Sequence, residues 1–396
     1  MRTRRPHLAT VPTSCLSALM LLWGCGSPEI DSSGPVAQWA SYGAAPGGGR
    51  YSPLTQITAE NVDDLEIAWI YHTGDYADGS EGLAPSSFQN TPIVVDGTMY
   101  ICTPFNRVIA LDPDSGEELW VYDPVVDTSQ IYVQACRGVS TWLDARKVDG
   151  DVCRRRIITG TLDARLIALD AATGKPCPDF GDAGTVDLGH GIGDREPGEY
   201  GVTSPPAIIH DTIVTGAMVL DSRRKNAPGG VVRAYDVRSG RLRWSWDPVP
   251  PGHPDIAGAD VPDDVLYWRG TTNVWSIISV DPERNLVFLP TGNTSPDYFG
   301  GERHGLDHYS SSVVALDAST GEPVWSFGTV HHDLWDYDVA SMPTLIDFPS
   351  ATGPVPAVVQ TTKQGYVFFL ERSTGRPLFE VVERPVPQGP APGDVL

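Results

Sequence analysis

A short pattern recurs five times along this chain and leaves few architectures open to it. VIALDPDSGEELW spans Val108–Trp120, VRAYDVRSGRLRW spans Val232–Trp244 and VVALDASTGEPVW spans Val313–Trp325. Weaker copies are LIALDAATGKPCP at Leu166–Pro178 and VFFLERSTGRPLF at Val367–Phe379. Each copy has an apolar run, an acidic residue, then Ser or Thr before Gly; all but the Leu166 copy place an aromatic four residues after that Gly. The apolar run suits a strand, and the acidic residue with Ser/Thr-Gly makes a tight turn with Gly at positive φ. The aromatic opens the return strand and offers a large apolar face to a neighbouring unit. The repeated glycines stand at 116, 174, 240, 321 and 375, 54 to 81 residues apart, room for a four-stranded sheet with its loops. With 41 Gly and 35 Pro among 396 residues, long helices are excluded.

Two hairpins fit between the copies. Thr91–Cys102 folds back around Asp96-Gly97, and Ser204–Gly216 has the same form one unit later. Radial repetition of such sheets predicts an all-β fold, a β-propeller of four-stranded blades. The five copies, with a strand expected around Leu65–Tyr71 to complete a terminal blade, give about five to six blades over residues 37–396. No copy follows the Pro-rich stretch that begins at Arg384, so the propeller is expected to be C-terminally incomplete, a fragment of a larger one.

The net charge of −22 argues against nucleic acid as a partner, because a phosphate-binding surface needs clustered Lys and Arg. Arg2, Arg4 and Arg5 precede an apolar stretch ending Leu21-Leu22-Trp23-Gly24-Cys25, which reads as a signal peptide (residues 1–25) with a lipobox-like cleavage site. A Ser/Pro/Gly tether follows at 26–36. The expected location is periplasmic, anchored to a membrane by lipid on Cys25. In that oxidising setting Cys102, Cys136, Cys153 and Cys177 allow three pairings. Cys136–Cys153 is the expected bond, because the two flank one short segment.

The strings TPFNRVIALD (Thr103–Asp112), CRGVS (Cys136–Ser140), TSPPAI (Thr203–Ile208), TGNTSPDYFGG (Thr291–Gly301), TVHHDLWDYD (Thr329–Asp338), TKQGYVFFL (Thr362–Leu370) and ERPVPQG (Glu383–Gly389) occur in one order along the chain. Together with the repeat they resemble the pyrroloquinoline quinone (PQQ)-dependent dehydrogenases, nearest their membrane-bound glucose and quinate dehydrogenase branch. The resemblance runs from Trp39 to the C-terminus. It implies an eight-bladed propeller with PQQ and Ca2+ near its axis. The implied activity is oxidation of a hydroxyl on a sugar, polyol or cyclic hydroxy acid. Electrons would pass to a separate acceptor, a membrane quinone or a redox protein, since no CxxCH haem site is present.

The resemblance also implies site residues. Asp333 is expected as the base that takes the substrate's hydroxyl proton, and as a metal ligand. Lys363 is expected beside the quinone oxygens, where a cation stabilises charge developing on reduction. Arg137 is expected on a cofactor carboxylate and Trp275 beneath the cofactor plane. Asn293 and Asp221 complete the expected metal set. The chain departs from the family in lacking the adjacent Cys pair of the alcohol enzymes, and in carrying Val133 where glucose enzymes tend to have His. Two other readings fit parts of the sequence: a non-catalytic propeller lipoprotein scaffold, and an inactive truncated homologue.

Overall fold

The computed structural model describes residues 38–80, 82–389, 391–392 and 396. The signal peptide and tether expected at 1–36 lie outside the described residues. No helix among those described is long and apolar enough to cross a membrane.

Five antiparallel sheets succeed one another along the chain. Blade one is Ile93–Val95, Thr98–Cys102, Val108–Leu111 and Glu118–Tyr122; blade two is Ser140–Leu143, Arg155–Gly160, Arg165–Asp170 and Thr185–Asp187. Blade three is Ala207–Ile209, Thr212–Thr215, Val232–Asp236 and Leu242–Trp246; blade four is Ser279–Asp281, Leu286–Pro290, Ser312–Asp317 and Pro323–Gly328. Blade five has three strands, Thr344–Phe348, Val355–Thr361 and Val367–Glu371. Both expected hairpins form. The turn of the first places Asp96 and Gly97 at φ 49° and 74°, the double left-handed turn that matches strand twist.

The repeat explains how blades pack. The indole of Trp120 lies where a Cβ on Gly174 would come within 2.5 Å of it, and its Nε1 donates to Ala171 O at 3.0 Å. Trp244 docks the same way on Gly321 and Ala318 O, and Trp325 on Gly375 and Arg372 O. Each aromatic therefore closes on the turn of the next blade. Where the Leu166 copy lacks its aromatic, Gly240 rests against the backbone of Gly181, whose N–H donates to Ser239 O.

Two expectations are corrected. Leu65–Tyr71 forms no strand, because its backbone makes no ladder of hydrogen bonds with another described segment. Trp69 within it still docks on Gly116, with Nε1 donating to Pro113 O. The disulfides are Cys102–Cys136 and Cys153–Cys177, not Cys136–Cys153. Residues 136–153 contain a strand: Ser140–Leu143 pairs antiparallel with Arg155–Gly160, and Leu143 faces Arg155. Cys136 and Cys153 therefore sit at opposite ends of that hairpin.

The first strand of each blade is innermost, and the first strands of blades two to five touch in succession. Residues 39–48 run over this inner layer. Trp39 exchanges both backbone hydrogen bonds with Val94 of blade one, Val280 of blade four donates to Pro46 O, and Leu345 of blade five donates to Gly47 O.

Candidate functional site

In an antiparallel blade the start of the first strand and the end of the second lie at the same end of the sheet. The expected site residues occupy those two places in successive blades. Arg137 and Trp275 precede the first strands of blades two and four, and Asn293 and Lys363 follow the second strands of blades four and five; Asp338, not among the expected residues, precedes the first strand of blade five, with the expected Asp333 five residues before it. Asp221 follows the second strand of blade three by six residues. Strand register thus gathers side chains that stand up to 226 residues apart in sequence.

Four of them form a line across the blades. The Arg137 guanidinium lies 5.0 Å from the Trp275 ring and donates to Thr203 Oγ1 at 2.6 Å. Thr203 and Ser204 in turn donate to the Trp275 carbonyl. Trp275 Nε1 donates to Asp338 Oδ2 at 3.1 Å, and that oxygen lies 3.6 Å from Lys363 Nζ. Lys363 also pairs with Asp336 Oδ2 at 3.2 Å and donates to the Asp336 carbonyl at 2.7 Å. Arg137 has no carboxylate partner among the described residues, and burial pulls its pKa down. A half-buried guanidinium without a carboxylate partner, laid on an indole, fits a planar anion. Beside it opens a cavity of about 390 Å³ lined by Arg50, Arg137, Ser276, Ser341 and Thr361 among others.

The Asp333 side chain is not in that line. It is 1% exposed, and its carboxylate accepts from Ser311 Oγ at 2.6 Å, Trp335 N at 2.9 Å and Tyr337 N at 2.8 Å. It caps the turn of its own motif. Asp336 is the carboxylate at the open rim beside Lys363, with a side chain 43% exposed and a backbone φ of 59°. A non-glycine residue in that region stores strain, and such strain clusters where a side chain must be aimed. Asn293 is also already engaged: its Oδ1 accepts from Thr294 N and Ser310 Oγ, both at 2.9 Å, which fills both lone pairs. Its Nδ2 donates to Asp297 Oδ1 at 2.6 Å.

Negative charge is in excess here. Burial, then the neighbouring carboxylates of Asp338 and Asp297, push Asp221 up to about 8. Burial raises Asp338 to about 7 against the opposing pull of Lys363. For Lys363, the attraction of Asp338 and Asp336 outweighs desolvation and leaves its pKa raised. Asp336 and Asp338 share the Lys363 ammonium, Asp221 and Asp297 add negative charge near Asp338, and Asn273 Oδ1 and Asp338 Oδ1 are buried without a partner among the described residues. Oxygen-only donors with surplus negative charge fit a hard divalent cation. Sequence reasoning passed over Asn273 and Asp297. Asp338 was visible only as the third acid of HHDLWDYD, and Asn273 only as the residue two before Trp275.

Residues 39–396 match the family model described as glucose/ethanol/alcohol dehydrogenase, beta-propeller domain. The chain is 41% identical over 373 residues to the glycerol dehydrogenase large subunit of Gluconobacter oxydans, covering 93% of this chain and 49% of that one. It is 41% identical over 383 residues to the quinate/shikimate dehydrogenase (quinone) of Acinetobacter baylyi, covering 92% and 46%. Among solved structures it is similar to a quinohemoprotein alcohol dehydrogenase of Pseudomonas putida, with TM-score 0.68 and 29% identity over 86% of this chain and 47% of that one. The chain spans about half the length of the relatives it matches. Repeat, blade order and family model agree: the chain belongs to the PQQ-dependent dehydrogenase β-propeller family.

Proposed function

We propose that this chain carries the active site of an exported PQQ- and Ca2+-dependent dehydrogenase. Its substrate would be a sugar, polyol or cyclic hydroxy acid oxidised at a CH–OH carbon. The line Arg137–Trp275–Asp338–Lys363 carries the reading, since a non-catalytic scaffold gains nothing from a half-buried guanidinium that has no carboxylate partner among the described residues and faces a cavity. The relatives' names, glycerol and quinate among them, support the substrate class. The lipobox at Cys25 supports a lipid-anchored periplasmic location, with a membrane quinone or redox protein as acceptor.

When bound, PQQ supplies the quinone that accepts hydride from the substrate carbon. Arg137 would bind a carboxylate of that group, and the Trp275 ring would orient its plane. Lys363 holds positive charge where negative charge develops. Asp336, beside Lys363 and open to the rim, replaces Asp333 as the group that takes the hydroxyl proton. Asp221 and its neighbouring oxygens would hold the cation.

The test is a titration of the whole chain with PQQ in Ca2+ and in EDTA, followed by cofactor absorbance, then dye-linked oxidation of aldoses, polyols and cyclic hydroxy acids. Saturable PQQ binding that Arg137→Ala weakens at least about tenfold is expected, since a buried charge-assisted contact is lost. No PQQ binding under either condition would overturn the reading.

A further inference from the structure

We infer that the cavity beside Arg137 is a second binding site, for the carboxylate of a small organic acid, and that Arg50 is the cation proper to it. The inference goes beyond the proposed function. The site shares Arg137 with the cofactor face, but its wall is formed by Ser276 and Ile277, the residues after Trp275, and not by the Trp275 ring.

Two guanidiniums line this cavity of about 390 Å³, and no acidic side chain among the described residues does. Neither Arg50 nor Arg137 has a carboxylate partner among the described residues, in a chain whose acids outnumber its Lys and Arg by 50 to 28. Tyr42 links the two. Its ring lies 5.2 Å from the Arg50 guanidinium, and a Cβ on Gly138, the residue after Arg137, would stand 3.8 Å from its Cδ2. The serine hydroxyls of the wall are already spent: Ser276 Oγ donates to Ala340 O at 2.7 Å, and Ser341 Oγ to Thr361 O at 2.8 Å. The charge left unanswered in the wall is positive.

The backbone holds Arg50 in place at a cost. Three glycines, Gly47–Gly49, precede it, yet Arg50 itself takes a left-handed φ of 50°, with its N–H donating to Gly43 O at 2.8 Å. A long side chain in that region is strained, and such strain persists where the surroundings over-determine it. Gly48 is pressed on Met342, where a Cβ would come within 2.7 Å of Sδ, so the segment is seated on the part of blade five that floors the cavity. Arg50 is exposed and Arg137 half-buried, so the charged wall runs inward from solvent.

The floor decides the class of ligand. Ile277, Met342 and Val359 make it apolar. A bare inorganic oxyanion would answer the charge and leave that floor unused, whereas a short carbon skeleton bearing carboxylate answers both. Planar guanidinium forks match carboxylate geometry, and the volume lies in the range of small-ligand pockets, about 300–1,000 Å³.

The experiment uses the whole chain in EDTA and free of PQQ, titrated by calorimetry at constant ionic strength. Glutarate is the probe, its dimethyl ester the uncharged control and inorganic phosphate the bare oxyanion. Saturable glutarate binding is expected, with the ester and phosphate each at least about tenfold weaker. Arg50→Asn and Arg50→Gly both suit a left-handed backbone, and each should weaken glutarate at least about tenfold by removing a charge-assisted contact. Arg241→Ala, which removes an exposed cation elsewhere, should stay within about twofold. Thermal midpoints without acid show that each variant folds. Absence of glutarate binding in the parent chain would overturn the inference, as would phosphate binding as tightly as glutarate. Affinity lost in Arg137→Ala but unmoved in both Arg50 variants would place the acid on the cofactor face and overturn it too.

Discussion

Asp333 and Asp336 are separated by two residues and do different work. Asp336→Asn should leave PQQ bound and lower turnover by about 10²–10⁴-fold, the usual loss when a general base is removed. Asp333→Asn should chiefly lower the thermal midpoint, because an amide cannot accept all three hydrogen bonds that close the turn. Steady-state rates and thermal melts of both variants check this. A second carboxylate, far from the site, sets a pH dependence. Asp247 is raised by burial to about 7; its Oδ2 accepts from Trp268 N, and its Oδ1 is buried without a partner among the described residues. A folded-state pKa above the unfolded value of about 3.9 means that the fold holds the proton more tightly than the unfolded chain. That contribution is full below about pH 4 and lost as pH rises to about 7. Asp247→Asn should therefore gain on the parent chain as pH rises, by an amount on the order of a few kcal/mol, visible as a melting difference larger at pH 8 than at pH 5.

At the scale of blades, the docking pair of aromatic and glycine is the unit of cohesion. Gly174 has φ 70° and no room for a Cβ against Trp120. Gly174→Ala should cost stability twice, through left-handed strain and through displacement of the indole, by about 2–4 kcal/mol in denaturant melts. Trp120→Phe keeps the ring but loses the bond to Ala171 O, and should cost nearer 1 kcal/mol. This level of structure was legible in the sequence, because turn chemistry and a fixed four-residue offset are local. The same is true of the hairpin at Asp96-Gly97. The site was legible only in part. Arg137, Trp275 and Lys363 stand at the blade ends where their motifs put them. The difference between Asp333 and Asp336 depends on the path of one turn, and linear spacing does not carry it. Asn273 and Asp338 come to lie on either side of Gly292 only through the strand register of blades four and five, which linear spacing does not carry either.

For the molecule as a whole, both disulfides lie near the start of the propeller. Cys102–Cys136 spans 34 residues and ties blade one to the entry of blade two; Cys153–Cys177 spans 24 residues within blade two. Loop-closure entropy assigns each about 3–4 kcal/mol. Reduction, or paired Cys→Ser changes, should lower the thermal midpoint. Calorimetric melts of the two paired variants check this.

Residues 39–48 lie across the inner strands of blades one, four and five. The segment leaves the ribosome early, yet its contact with Leu345 must wait for some three hundred further residues. Contacts of such sequence separation are slow to form, because loop closure precedes any reward. Blades one to three can assemble from near neighbours, with Trp39 already paired to Val94, while residues 46–48 remain unplaced. The far end of the stretch then acts as a molecular tally of synthesis: the Gly47 carbonyl meets its donor, Leu345 N, only when the fifth blade exists.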